Sequence, residues 1–177
     1  ENRLNVSRVL KKIKSYEFHE LFQQFDWIII NFGDPVKYSL HVASAVRVCH
    51  QDKIILNNSD EYFTKKCIEK SDEDLIHSDE YGFMKDSDSL FEANVEKVNC
   101  LLKGKFAKKI KVSKWKDLII RFSNQTEIQI VQDCLGRDYE YYRLIEFSPQ
   151  LDDDPSQYSS KHYVVYNDQG EPKMKIE

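Results

Sequence analysis

His41, Arg47 and Asp60 are the residues of this chain whose types and spacing could do chemistry. His41 and Arg47 lie six positions apart in the alternating segment 38–49, so one extended strand would place both on the same face. An arginine there could bind a carboxylate or another anion, and a histidine could act as a base or a donor. The alternative is structural: Arg47 pairs with Asp60 or another acid, and His41 forms its hydrogen bonds within the sheet.

A second candidate site is the acidic segment from Ser59 to Glu92, which contains eleven acids and four lysines. Charge blocks of this kind influence association and solubility rather than fold. We expect this surface to bind a basic protein; the alternative is a solvated surface that partly neutralises a basic one. Besides Asp60, the acids that we expect at the binding surface are Asp72, Glu73, Asp74, Asp79 and Glu80.

Basic residues are concentrated from Lys97 to Lys116, where eight lysines occur without an acid, together with Phe106 and Trp115. Lysines and aromatic rings that line one groove bind nucleic acid. This stretch has no arginine, its aromatic residues are not interleaved with the lysines on one face, and the whole chain has a net charge of -4. The sequence therefore does not favour a nucleic acid partner.

The sequence has no pattern typical of a catalytic or metal site. It contains no Gly-x-Ser-x-Gly, no phosphate-binding glycine loop, and no histidine or cysteine spacing typical of metal ligands. Cys49 stands beside His50, but adjacent residues of a strand point to opposite faces. We therefore expect no metal and no cofactor, and the sequence favours a protein that is not an enzyme.

Cysteine usage and hydropathy bear on the compartment. The four cysteines are widely spaced and form no Cys-x-x-Cys pair. This favours free thiols in a reducing cytoplasm, with two disulfides as the alternative. No apolar run approaches the roughly 20 residues that a membrane helix needs. We therefore expect a cytoplasmic protein without a membrane partner, and the sequence leaves its oligomeric state open.

Hydrophobic periodicity predicts three helices. Segments 6–13 and 18–25 each have apolar residues three and four positions apart, which is typical of amphipathic helices. The second segment has Phe18, Leu21, Phe22 and Phe25 at this spacing. A third helix is predicted from about Ser89 to Lys103, with Gly104 as its stop.

Alternating residues and turn signals predict the strands. They cover 27–32, 38–49, 53–56, 110–112, 118–122, 128–130 and 139–147, and a C-terminal hairpin lies within 161–177. A chain of 177 residues suits one domain. We therefore predict a single α+β domain over 1–177, with an acidic excursion at 59–88. Its mostly antiparallel sheet has six or more strands, with two N-terminal helices and one mid-chain helix packed on it.

Short motifs in the middle of the chain resemble an uncharacterised bacterial domain family. That family has Gly-Asp-x-x-Leu-His followed by Ile or Val, then Arg with Ile or Val, then Ser-Asp-Asp, and later Asp-Leu-x-[Ile/Leu]-x-Phe. This chain departs from the pattern at Ala43 to Val46, where the family has residues more like Gln-Cys-Pro-Trp, and at Glu61. The resemblance begins at Gly33-Asp34, and the positions that match are Leu40-His41-Val42, Arg47-Val48, Ser59-Asp60 and Asp117 to Phe122.

The resemblance implies a context rather than a reaction, since the family has no assigned activity. Small domains of this type are similar to proteins encoded beside polymorphic toxins. Together with the acidic segment, this predicts a non-catalytic protein-binding module of bacterial type, such as an immunity protein that neutralises a basic toxin. The alternatives are a small ligand-binding protein or enzyme with a pocket at the His41 and Arg47 face, and a domain that dimerises through an apolar strand edge at Tyr163 to Tyr166.

Overall fold

Alternating apolar and polar residues form most of this molecule as strands. A computed structural model describes residues 5–62, 89–136, 139–148 and 160–177. The helices in these residues are α1 (Val6–Leu10), α2 (Leu90–Leu102) and two 3-10 helices, Lys11–Ser15 and Asn58–Tyr62. The strands are β1 (Phe18–Gln24), β2 (Trp27–Phe32), β3 (Tyr38–Val42), β4 (Ala45–His50), β5 (Lys53–Asn57), β6 (Ala107–Val112), β7 (Leu118–Phe122), β8 (Thr126–Val131), β9 (Glu140–Phe147), β10 (Ser160–Asp168) and β11 (Glu171–Ile176).

The strands form two antiparallel sheets rather than one. The six-stranded sheet has the order β1-β2-β3-β9-β10-β11, and the five-stranded sheet has the order β5-β4-β8-β7-β6. Buried side chains from both sheets and from α1 and α2 form one hydrophobic cluster. The fold is therefore α+β with antiparallel sheets, as predicted, but its strands are divided between two layers.

The predicted strand 38–49 crosses from one sheet to the other. β3 ends at Val42 and β4 begins at Ala45, and the backbone N–H groups of Ala43 and Ser44 both donate to the carbonyl of Tyr141. The predicted alternation continues through the crossing, since Leu40, Val42, Val46 and Val48 are all buried. Local periodicity thus gave the correct buried face, although the strand does not remain in one sheet.

The second predicted N-terminal helix is wrong, because Phe18–Gln24 forms strand β1. β1 pairs with β2, and the pairing shifts register between Phe18 and Glu20. This irregularity interrupts the two-residue alternation, so the buried residues Phe18 and Leu21 lie three positions apart, as they would in a helix. The first predicted helix is present as the single turn of α1 and the 3-10 helix that follows it.

The mid-chain helix α2 matches its prediction and packs beside the edge strand β1. Ser89 caps its first turn by accepting a hydrogen bond from the N–H of Glu92. Asn99 accepts from the N–H of Leu21 at 2.7 Å and donates to the carbonyl of Leu21 at 2.9 Å. Its amide therefore pairs both backbone groups of one β1 residue and fixes α2 against the sheet.

The C-terminal hairpin also matches its prediction, since β10 and β11 pair around Gln169 and Gly170. β10 lies between β9 and β11, so both of its edges are paired. Residues 163–166 are therefore not the exposed strand edge that the sequence predicted for the dimerisation alternative.

Candidate functional site

His41 and Arg47 lie on different sheets. His41 belongs to β3 of the six-stranded sheet and Arg47 to β4 of the five-stranded sheet, because the chain crosses between the layers at Ala43 and Ser44. Each side chain lines a separate cavity. The two side chains therefore do not share the single sheet face that the sequence predicted.

Arg47 is exposed, and its guanidinium is hydrogen-bonded to a side-chain amide. Its Nε and Nη2 both donate to Oε1 of Gln129, at 2.9 and 2.5 Å. Gln129 in turn donates to Glu127, which also accepts from Arg121. Burial alone would raise the pKa of Glu127, but the hydrogen bonds from Gln129 and Arg121 outweigh it and lower that pKa. Arg47 is thus one end of a polar network across the outer face of the five-stranded sheet.

Asp60 has a structural role at the end of β5. Its carboxylate accepts from the N–H of Asn57 and from the side-chain amide of Asn94, both at 2.9 Å. It therefore connects β5 and the 3-10 helix Asn58–Tyr62 to α2. Asp60 and Arg47 line the same open cavity of about 500 Å³, but Arg47 donates to Gln129 instead.

The other predicted acids, Asp72, Glu73, Asp74, Asp79 and Glu80, lie outside the described residues. Their role in binding a basic protein stays a prediction. Cys67 also lies outside these residues, whereas Cys49, Cys100 and Cys134 are free thiols.

A groove of about 720 Å³ runs between α2 and β1, and we call it the α2 groove. The α2 residues that line this groove recur every three or four positions, so they lie on one face of the helix. Phe91 is buried at its floor, and Phe22 and Val95 are half-buried. The groove is lined by Phe22, Gln23, Phe91, Glu92, Val95, Glu96, Asn99, Cys100 and Lys103.

The rim of the α2 groove is acidic. Glu92 and Glu96 are exposed along the helix, and Lys103 lies at its far end. On the β1 side, Gln23 donates to the carboxylate of Glu61 at 2.6 Å. Two carboxylates therefore line the groove beside its apolar floor, with Lys103 at one end, and a third carboxylate, Glu61, is bound by the lining residue Gln23.

A second cavity, of about 350 Å³, lies on the outer face of the six-stranded sheet, and we call it the His41 cavity. β3 and β9 pair so that His41 stands directly opposite Arg143, and His162 projects from β10 beside them. The cavity is lined by Gln24, Phe25, Trp27, Ile29, His41, Arg143, Ile145 and His162.

Hydrogen bonds fix the proton of His41. Asn31 donates to Glu20, and its carbonyl oxygen accepts from the hydroxyl of Ser39 at 2.6 Å. Because the hydroxyl proton of Ser39 is used in that hydrogen bond, the oxygen of Ser39 is the acceptor for Nε2 of His41, at 3.0 Å. Burial, followed by the positive charge of Arg143 and by His162, lowers the pKa of His41, against a raising effect of Glu140. The neutral ring therefore carries its proton on Nε2 and a lone pair on Nδ1.

Arg143 fixes the proton of His162 in the same way. A guanidinium has only donors, so the contact of 3.1 Å from its Nη1 makes Nδ1 of His162 the acceptor. The ring proton is then on Nε2, which faces the hydroxyl of Ser160 at 2.9 Å. Arg143 also binds Glu140 through Nε and Nη2, and its guanidinium lies 6.0 Å from the ring centre of Trp27.

The sequence revealed few of the residues that form these two sites. It predicted His41 as a site residue, but it predicted neither Arg143 nor His162. Arg143 and His162 are more than a hundred positions from His41, so only strand pairing brings them together. The apolar and acidic spacing of α2 was a usable signal, since Glu92, Val95 and Glu96 share one helix face.

No group of three or more metal-ligating side chains occurs within the described ranges. Among the described helices, none is long and apolar enough to cross a membrane.

Comparison with family models, curated proteins and solved structures finds no match. The resemblance to the bacterial family stays a prediction.

Proposed function

We propose that this chain is a protein-binding module for a basic partner, and that the α2 groove is the apolar part of its interface. The observation that carries the proposal is an apolar floor within an acidic rim. Residues 63–88, which lie outside the described part, contain eight acids and four lysines. They join the described chain at Tyr62 and Ser89, where the 3-10 helix Asn58–Tyr62 contacts α2. An acidic segment is therefore connected along the chain to the residues near the acidic rim.

The groove suits an apolar side chain flanked by lysine or arginine. Burying one side chain of leucine size against Phe22, Phe91 and Val95 would contribute about 1.5–3 kcal/mol. Exposed ion pairs contribute less to affinity, but they accelerate association and reject partners of the wrong charge. The floor would thus provide affinity, and Glu92 and Glu96 would select the partner.

The family resemblance implies a basic toxin as the partner. The positive charge of such a protein would complement the acidic rim of the groove. Bound in this way, the chain would act as an immunity protein that covers its partner without a reaction of its own. The charge of the rim and of residues 63–88 supports this partner class.

Two short peptides of equal length would test the groove, one of leucine and lysine and one of leucine and glutamate. Fluorescence anisotropy should show that the lysine peptide binds and that added salt weakens it. Glu96→Lys should weaken this binding about fivefold, because it replaces an attraction with a repulsion of similar size. Glu171→Lys makes the same charge change on the exposed surface of β11 and should leave binding unchanged.

The native partner should follow the same pattern. A basic protein captured from the host should be lost with Glu96→Lys and kept with Glu171→Lys. Cys100 lines the groove and is exposed, so it should react with a maleimide in the free chain and be protected by the partner. The proposal fails if Cys100 is unreactive in the free folded chain and neither peptide binds, since the chain itself would then fill the groove.

A further inference from the structure

The His41 cavity has an apolar floor. The indole of Trp27 and the side chains of Ile29 and Ile145 line it. Phe25 also lines it from the turn between β1 and β2, where the residue is 82% exposed and its backbone has a φ of 54°. Bulky residues rarely adopt a positive φ, and such strain is concentrated at functional sites. The cavity has room for a ring system.

A hydrogen-bond acceptor and donors stand side by side in this cavity. Within the described residues, nothing donates to Nδ1 of His41. Arg143 uses one N–H each on Nε, Nη1 and Nη2, so one N–H on each of Nη1 and Nη2 forms no hydrogen bond there. His41 and Arg143 are directly opposite on β3 and β9, which places their Cβ atoms roughly 5 Å apart.

The charges around the cavity are balanced. Arg143 binds Glu140 and lies 3.9 Å from Glu177, and Glu177 also pairs with Lys175. Two cations therefore face two anions, and Arg143 also contacts Nδ1 of His162. An ionic ligand would have to compete with these pairs, whereas an uncharged ligand would leave them intact.

From this arrangement we infer that the His41 cavity binds a small, planar, uncharged ring with an N–H beside a C=O, the lactam edge of a nucleobase. The N–H of the ligand donates to Nδ1 of His41. Its carbonyl accepts from Arg143, and its ring packs on Trp27. This site is separate from the α2 groove and does not rest on the function proposed above.

Uracil and N,N′-dimethyluracil are a matched pair of probes, because the second lacks both N–H donors. In a Trp115→Phe background, tryptophan fluorescence reports on Trp27 alone, since the chain has two tryptophans. Uracil should give a saturable change, and the dimethyl compound should bind about tenfold more weakly for the lost hydrogen bond. Benzoate, a planar anion, should bind more weakly than uracil.

His41→Gln supplies the second comparison. Glutamine can still donate to Ser39, but it lacks an acceptor at the position of Nδ1. Uracil should therefore bind this variant about tenfold more weakly than the parent, while the dimethyl compound binds both equally. If a uridine oligonucleotide binds more tightly than uracil, the natural ligand is a base within RNA. If it binds more weakly, the natural ligand is a free base. Either result supports the site. The inference is overturned if uracil gives no saturable change in the parent, if benzoate binds more tightly than uracil, or if the preference for uracil survives in His41→Gln.

Discussion

Glu146, at the end of β9, should contribute more to stability than the other surface carboxylates. It accepts hydrogen bonds from the hydroxyls of Tyr38 and Tyr163, at 2.9 and 3.1 Å, and from Nζ of Lys12 at 3.2 Å. Its side chain is only 21% exposed. One carboxylate thus joins the 3-10 helix Lys11–Ser15 to β3, β9 and β10.

The expected effect of Glu146→Gln follows from these contacts. A hydrogen bond to a charged group contributes about 1.5–3 kcal/mol, and a neutral one about 0.5–1.5, so each tyrosine loses about 1 kcal/mol. The pair with Lys12 adds about 0.5 kcal/mol or less, because the lysine is nearly half exposed. The free energy of unfolding should therefore fall by about 2–3 kcal/mol, and the Tm by about 5–10 °C.

The effect should depend on pH in a defined direction. Burial alone would raise the pKa of Glu146, but the hydrogen bonds from Tyr38, Lys12 and Tyr163 outweigh it and lower that pKa. A carboxylate with a lowered pKa in the folded state stabilises the protein fully above its unfolded value of about 4.3, and this stabilisation is lost as the pH falls further. The difference between the wild type and Glu146→Gln should therefore shrink in acid.

Urea unfolding of both proteins at pH 7 and at about pH 3.5 measures this difference. Glu171→Gln is the matched control, since Glu171 is exposed, and it should change the free energy of unfolding by less than about 0.5 kcal/mol. The reasoning is refuted if Glu146→Gln costs no more than this control at pH 7. It is also refuted if the full cost remains in acid.

Two further variants test the turn that follows β1 and the hydrogen bonds between β1 and α2. Phe25→Asn should raise the free energy of unfolding by about 0.5–1 kcal/mol, because asparagine adopts a positive φ more readily and the exposed ring packs little. A lower Tm in thermal unfolding would contradict this. Asn99→Ala leaves the N–H and C=O of Leu21 without their partner and should cost about 2–3 kcal/mol. The amide of Leu21 should then exchange faster with deuterium, and unchanged protection would contradict the role assigned to Asn99.

Local patterns predicted the elements well, because they depend on neighbouring residues. β2 covers the predicted residues Trp27 to Phe32, and α2 differs from its prediction by one residue at each end. The alternation from Tyr38 to Cys49 gave the correct buried face through a change of sheet. Between Phe18 and Leu21, a local irregularity changed the spacing of the buried apolar residues. The same patterns therefore predicted a helix where the chain forms a strand.

These local patterns could not predict which distant strands pair with each other. Whether two strands share a sheet depends on contacts between distant residues, so the division into two layers left no local signal. The same limit applies to the sites. His41 meets Arg143 only because β3 pairs with β9. Arg47 is on the other sheet because the chain crosses between sheets at Ala43 and Ser44. The acids from Asp72 to Glu80 remain a prediction from composition.

Strand β1 connects the two proposed sites. Phe22 and Gln23 line the α2 groove, while Gln24 and Phe25 line the His41 cavity. A ligand at one site could influence the other only by moving β1, and β1 is fixed on one side by its pairing with β2 and on the other by Asn99. Binding at the two sites should then be independent, because coupling requires an element with two arrangements. For this reason Glu96→Lys should leave uracil binding intact and His41→Gln should leave peptide binding intact, so each variant serves as the folding control for the other site.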